Sequence, residues 1–253
     1  MIGTTVDAFL GGRLMIRQPA GGYRAGADPV FLAAAVPARA GDRVLELGCG
    51  AGVALLCLLA RVSDLQATGV ERDPVTADLA RLNARHNGHD AQIVTADLNA
   101  LPQDLREQSF DHVLANPPFF DRTHGSKAHV DREGGRGEDT PLATWIDTGI
   151  RRLAPGGTFT LIQRANRLPD LLAAMDTRLG DITLLPLAPR QGRAAKLVLV
   201  QAQKGAKGPF QLAPPFILHD GERHERDGES YSSKARDVLR ENAPITLRQL
   251  ISG

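Results

Sequence analysis

Between residues 44 and 53 the chain reads VLELGCGAGV, an apolar run that meets Gly48, Gly50 and Gly52 and then continues into a second apolar stretch. Glycines at that spacing permit a sharp turn and let backbone N–H groups approach a bound ligand closely at a helix N-terminus. A dinucleotide site wants GxGxxG, with the third glycine or an alanine packing helix on strand. Here Val53 holds that place, and the glycine arrives one residue early, as GxGxG around Cys49 and Ala51. The spacing favours adenosylmethionine over a nicotinamide dinucleotide. Glu46, two residues before Gly48, adds a carboxylate under the turn, where it could meet the cationic amino group of a methionine moiety and would repel a pyrophosphate.

Two further acids fall at equivalent places. Glu71, in GVERD, lies 19 residues after Gly52 and ends an apolar run; an acid there can accept both ribose hydroxyls of either cofactor class. Asp97, in VTADL, ends the next run and can accept from an adenine exocyclic amine. Taken singly, the glycines could be a plain loop and the acids surface charges; three successive run ends in register point to a nucleoside cofactor.

The fourth run end carries Asn116-Pro117-Pro118-Phe119. Two prolines supply no N–H and restrict their neighbours, so the loop is rigid and its carbonyls face partners outside the sheet. A ring-conjugated amine is a poor nucleophile because its lone pair is delocalised. Accepting its two N–H bonds with the Asn116 side-chain oxygen and the Pro117 carbonyl favours the pyramidal nitrogen that attacks a methyl group. Phe119 can stack on the base and hold it in line. No general base is needed, because the methylated amine is acidic enough to lose its proton to water.

The elements that must position these residues follow from short apolar runs alternating with amphipathic stretches. Strands are predicted over 43–47, 67–70, 91–95, 112–115 and 158–163, with helices over 51–62, 74–87 and 142–153. Two more strands, 182–187 and 196–203, are separated by eight residues, too few for a helical crossover, so they should pair antiparallel. Asp28-Pro29 ahead of VFLAAAV predicts a leading helix with Asp28 as its N-cap, and Ser232 or Ser233 should cap a last helix over 234–241. Residues 121–140 form a polar loop, a lid or disordered.

Composition removes other classes. Hydrophobic residues are 42% and charged residues 23%, ordinary for a folded chain. The net charge of +1 announces no global field for nucleic acid, so such a partner would use a local patch. Two such segments exist: residues 182–219 hold Arg190, Arg193, Lys196, Lys204 and Lys207 with no acid, and residues 8–27 hold Arg13, Arg17 and Arg24 with none. Separated cations of this kind could track RNA phosphates, or be solvated loop charge. Cys49 and Cys57 cannot assemble a disulfide framework or a four-ligand zinc site, and the seven histidines form no ligand set, so no metal is expected. No run approaches the roughly 18 apolar residues of a membrane span, and no secretory signal opens the chain; a cytoplasmic, non-membrane protein is expected.

ELGCGAG, GVERD, VTADL and NPPF together resemble the class I adenosylmethionine-dependent methyltransferases, and NPPF their amino-methylating branch. GGYRAGAD at 21–28, NPPFF, Pro189-Arg190 and the terminal HDGE, YSSKA and VLR segments resemble the bacterial tRNA(Val) adenine N6-methyltransferases and the small-domain methyltransferases close to them, over about residues 12–240. The resemblance implies an α/β, Rossmann-like seven-stranded methyltransferase sheet, five parallel strands plus a C-terminal antiparallel hairpin, with helices on both faces. It implies one domain over 1–253, with an N-terminal cap and helix segment over 1–40 and a covering segment over 205–253. It implies S-adenosylmethionine as cofactor, held by Arg24, Gly26, Glu46, Gly48, Cys49, Gly50, Gly52, Glu71, Arg72, Asp97, Leu98 and Asn116, with Asp28 near the pocket. Asn116, Pro117, Pro118 and Phe119 would be catalytic; Phe119, Phe120, Arg190, Arg193 and Lys196 would bind substrate, expected to be RNA and specifically tRNA. NPPF also occurs in enzymes that methylate glutamine N5 in release factors or guanine N2 in rRNA, and these stand as alternatives, beside a non-catalytic RNA-binding module of the same fold.

Overall fold

The computed structural model describes residues 3–22, 24–118, 140–221 and 230–247. Among them, β1 (Thr4–Phe9) and β2 (Leu14–Pro19) form an antiparallel hairpin of their own. The central sheet holds β3 (Arg43–Leu47), β4 (Gln66–Glu71), β5 (Gln92–Thr95), β6 (Phe110–Ala115), β7 (Leu153–Arg164), β8 (Leu179–Ala188), β9 (Leu197–Lys204), β10 (Gln211–Leu212) and β11 (Phe216–Ile217). The helices are α1 (Asp28–Ala35), α2 (Val53–Leu59), α3 (Pro74–His86), α4 (Gln103–Arg106), α5 (Leu142–Arg152), α6 (Leu168–Ala174) and α7 (Ser233–Glu241).

The sheet order is β10-β8-β9-β7-β6-β3-β4-β5, with β11 also on β8. Strands β3 to β7 are mutually parallel, and β9 runs antiparallel to both β7 and β8. The expected five parallel strands and final hairpin are therefore present, and β10 and β11 add two-residue parallel rungs on β8. Pro209, Pro214 and Pro215 bracket these rungs and keep them short.

Strand alternation sends side chains into two cores. Val44 and Leu114 join the core with α1, α2 and α3, while Leu45, Leu47, Val113 and Ala115 join the one with α5 and α6. Helices thus cover both faces. The same alternation turns Glu46 toward α2 and puts Asn116, two residues beyond Leu114, on that face as well. Because β4 lies on one side of β3 and β6 on the other, the chain reverses direction across the sheet at the C-terminal ends of β3 and β6. Ligands of open parallel sheets bind at such a switch.

Three local expectations change. The region 1–40 contains a hairpin before its helix. Asn83 on α3 and Asn87, its C-cap, serve as the hairpin's outer rung: Met15 N–H donates to Asn87 Oδ1 at 2.9 Å and its carbonyl accepts from Asn87 Nδ2 at 3.0 Å, while Arg17 makes the same pair with Asn83 at 2.8 and 2.9 Å. Four helical residues rise about 6 Å and two strand residues about 6.8 Å, so the amides match the strand's repeat. Asp28 lies inside α1 rather than capping it; Ala27 is the N-cap and makes no side-chain bond. Helix α2 spans only Val53–Leu59, because Gly52, at φ +88°, is its N-cap. The last helix forms as expected, with Ser232 Oγ accepting from Ala235 N–H.

Candidate functional site

A cavity of about 740 Å³ opens over the glycine turn, within the range of small-molecule sites. Glu46, Gly48, Cys49, Gly50, Ala51 and Asn116 line it from the sheet; Thr4, Gln18 and Pro19 from the hairpin; Ala25 and Pro29 from the segment entering α1; and Asp73, Val75, Thr76, Asp78, Leu79 and Leu82 from α3 and its approach. The sequence therefore located the floor and the Asn116 end. It missed the hairpin and α3 walls, whose residues gain a role only through tertiary packing.

The turn has the backbone its glycines allow: Gly48, Gly50 and Gly52 have φ of +62°, +57° and +88°. At Gly48 a second constraint applies, since a Cβ would stand 2.3 Å from Trp145 Cη2 and 2.7 Å from Cζ3. Gly52 does not line the cavity; it lies against α3, where a Cβ would meet that of Ala80 at 3.5 Å.

Both acids beneath the turn are buried and serve the backbone. Glu46 Oε2 accepts from Leu55 N–H at 2.9 Å. Burial pushes its carboxyl up to about 8, against the Leu55 hydrogen bond and with help from the Glu71 charge. Such a desolvated acid on the cavity wall is stabilised in its charged form by a cationic ligand. Glu71 accepts from Gly50 N–H at 3.0 Å through one oxygen and from Asp73 N–H at 2.9 Å through the other; each oxygen retains a lone pair for a further donor. Asp97 Oδ1 accepts from the Asn99 N–H and amide at 2.8 Å. Glu71, Arg72, Asp97, Leu98, Pro117 and Pro118 are not among the residues lining the cavity, so the structure gathers the glycine turn, Glu46 and Asn116 more closely than it does the two outer strand ends.

At the end of β6, Asn116 is half-buried and Pro117 buried. The loop's carbonyls are expected to face partners outside the sheet, but that of Pro117 accepts from Gln163 Nε2 of β7 at 3.4 Å, because the neighbouring strand supplies a buried amide donor there. Phe119, Phe120 and residues 121–139 of the expected polar loop lie outside the described residues.

Several predicted residues are placed elsewhere. Arg24 does not line the cavity; its guanidinium holds Asp7 at 2.5 and 2.7 Å. Gly26 is exposed with open space beside it. Arg13 pairs with Glu241, so two of the three cations in 8–27 have acid partners that a count confined to that segment leaves out. Arg190 is only 7% exposed and donates to the carbonyls of Asp220 and Gly221 and to Ser230 Oγ, stitching the C-terminal segment to the hairpin tip rather than facing solvent. Lys204 bonds the Leu153 carbonyl. Arg193 and Lys196 are exposed between β8 and β9, at the same sheet edge as the cavity. Among the described residues no cluster of histidines, cysteines and acids could hold a metal, and no helix is long and apolar enough to cross a membrane.

Residues 27–185 match the family model described as "Methyltransferase small domain". The chain is 33% identical over 198 residues, 71% of its length and 76% of the relative's, to a tRNA1(Val) (adenine(37)-N6)-methyltransferase of Porphyromonas gingivalis. It is 28% identical over 204 residues, 79% and 85% of the two lengths, to a protein of the same name from Actinobacillus succinogenes. Among solved structures, a protein described as a predicted O-methyltransferase from Agrobacterium tumefaciens superposes with a TM-score of 0.69 at 25% identity, over 87% of this chain and 98% of that one. A T. thermophilus 16S rRNA N2 G1207 methyltransferase, in complex with AdoMet and guanosine, shares the fold at TM-score 0.55 and 21% identity, over 81% and 51%.

Proposed function

The chain belongs to the methyltransferase small-domain family, and from that premise we propose that it is an S-adenosylmethionine-dependent enzyme that methylates the exocyclic N6 amine of an adenine in tRNA. The observation that carries the reading is the position of Asn116, which lines the same cavity as Glu46 and the Gly48–Ala51 turn and is followed by two prolines. S-adenosylmethionine supplies, when bound, an electrophilic methyl group on a sulfonium. The turn's backbone and the Glu46 carboxylate fit its cationic amino-acid end, and Glu71 fits its ribose.

The protein's own contribution is to prepare the nitrogen. The Asn116 side-chain oxygen and the second lone pair of the Pro117 carbonyl accept the two amine hydrogens, drawing the lone pair out of conjugation with the ring. Phe119 stacks on the base, and Arg193 and Lys196 meet backbone phosphates. The tRNA relatives named above support adenine over a glutamine carboxamide or a guanine amine, which present the same pair of hydrogens. A tRNA substrate places the reaction in the cytoplasm.

The test is transfer of labelled methyl from S-adenosylmethionine to unmodified tRNA, rRNA and a release factor in parallel, followed by nucleoside and amino-acid identification. N6-methyladenosine in tRNA is expected; label on a hydroxyl, or on protein alone, overturns the assignment. Asn116→Ala should lower transfer at least a hundredfold, in line with loss of an oriented acceptor, while cofactor binding by calorimetry stays within about threefold.

A further inference from the structure

We infer that Gln163 is a positioning residue for methyl transfer, which sets the Pro117 carbonyl in the orientation that receives the target amine. The inference rests on the amine-methylating reading above and adds a residue to it.

The need for such a residue follows from the sheet. The parallel ladder between β6 and β7 ends at Ala115 opposite Leu161. Continuing it by two residues would bring Pro117 abreast of Gln163, but Pro117 and Pro118 carry no N–H, so the backbone cannot hold the loop in register. Pro118 already restricts the ψ of Pro117, and a bond to the Pro117 carbonyl narrows that range to one orientation. Gln163 supplies the missing connection from its side chain: Nε2 donates to the Pro117 carbonyl at 3.4 Å.

The amide is itself held. Gln163 has no exposed surface, and its Oε1 accepts from Arg164 N–H at 2.8 Å, which fixes which end of the amide faces Pro117. Its own backbone pairs with Val198 on β9, so its base is anchored in the sheet interior. A glutamine in that position, next to the fully buried Leu161 and Ile162, is otherwise a costly choice, because a buried amide must find partners for both ends. The bond is long, and a carbonyl oxygen has two lone pairs, so the contact orients the oxygen while leaving acceptor capacity for an amine hydrogen.

The test compares Gln163→Met and Gln163→Glu with the unaltered protein, using an unmodified tRNA substrate. Gln163→Met keeps the volume and removes the donor. It should lower kcat about tenfold, the size of one oriented hydrogen bond, with cofactor affinity by calorimetry and KM for tRNA within about twofold. Gln163→Glu provides a readout that a packing role would not move when kcat is taken per folded protein, with far-UV circular dichroism and cofactor affinity unchanged across the pH range. Its neutral acid can donate O–H to Pro117 while the other oxygen still accepts from Arg164, whereas the ionised form points a negative charge at the carbonyl. Burial raises such a carboxyl into the range where assays are run, so the ratio of variant to unaltered activity should rise as pH falls and drop as pH rises.

A Met variant within twofold of the unaltered kcat, or a Glu variant whose activity ratio is flat with pH, overturns the role of Gln163 alone. Methyl transfer by the unaltered protein to an oxygen or carbon, with no product on any amine, removes the acceptor role of Pro117 and overturns both readings together.

Discussion

The approach of Trp145 to the glycine turn gives a stability prediction with separable parts. In Gly48→Ala the new Cβ would lie 2.3 Å from Trp145 Cη2 and 2.7 Å from Cζ3, where carbon contacts are comfortable at about 3.5–4.0 Å. Trp145 is 7% exposed, and its helix α5 is packed on the sheet through Ile146 and Ile150, both fully buried, so the ring has little room to withdraw. Overpacking of this kind costs about 1–3 kcal/mol. The φ of +62° at residue 48 adds about 1–2 kcal/mol for any side chain, giving a total of about 2–5 kcal/mol. Trp145→Leu removes the fused ring and its own share of packing, but in combination with Gly48→Ala it abolishes the clash. The two changes should therefore couple, the double variant being about 1–3 kcal/mol more stable than the sum of the singles, while the backbone part persists. Urea unfolding followed by far-UV circular dichroism measures all four proteins, since the chain's single tryptophan is lost in two of them. Additivity within about 0.5 kcal/mol would refute the close approach of Trp145 to the turn.

Two other perturbations probe the site and its surroundings. The Glu46 carboxyl, raised by burial from 4.5 to about 8, carries no penalty below pH about 4.5, where folded and unfolded chains are both protonated. Between 4.5 and about 8 the unfolded chain ionises and the folded one does not, so the ligand-free protein loses stability as pH rises. Glu46→Gln should accordingly show equal stability near pH 4.5 and an advantage of about a few kcal/mol by pH 8.5, with weaker cofactor binding; parallel pH–stability curves for the two proteins would contradict it. Arg190→Ala should cost about 1.5–3 kcal/mol of stability, the range for hydrogen bonds from a charged donor, since it removes the bonds to the Asp220 and Gly221 carbonyls. The Arg193→Ala/Lys196→Ala pair should leave stability unchanged and reduce the salt slope of tRNA binding by about 0.7–0.9 per cation; the reverse pattern would exchange their roles.

What could be read from the sequence was what local chemistry dictates. The bounds 43–47 of β3 were legible because its apolar run ends abruptly in glycine, and α3 because Pro74 starts it and Asn87-Gly88 ends it. Residues 154–157, between the helix expected over 142–153 and the strand expected over 158–163, read as a turn, since they contain Pro155, Gly156 and Gly157. In the structure they belong to the bulged start of β7, where the register with β6 shifts between Phe110 and His112. No local pattern reveals that, because the partner strand absorbs the irregularity. Arg24 illustrates the same limit for charge: its partner Asp7 is 17 residues away, brought beside it by the hairpin register. Gln163 left a signal, a long polar side chain in a buried strand, which asks where its hydrogen bonds go even before the answer is visible.

The hairpin shows how the unreadable part supports the readable one. Asn83 is 1% exposed, and besides pairing with Arg17 its Nδ2 donates to the Ala51 carbonyl at 2.9 Å. Ala51 belongs to the glycine turn and lines the cavity. One amide therefore ties the hairpin, α3 and the turn together, using its acceptor once and both its donors. Gln18, 2% exposed, extends the connection: its Oε1 accepts from Ala25 N–H at 2.8 Å and its Nε2 donates to Asp7 at 2.8 Å. Gln18 and Ala25 are both cavity walls. A flexible glycine turn with three positive φ angles is thus held by the Asn83 amide at Ala51 and by the Glu71 carboxylate at Gly50, so the mobility that glycines confer in isolation is removed where a ligand needs a fixed set of donors. The conformation comes from the glycines, and its rigidity from Asn83 and Glu71, which lie outside the glycine motif.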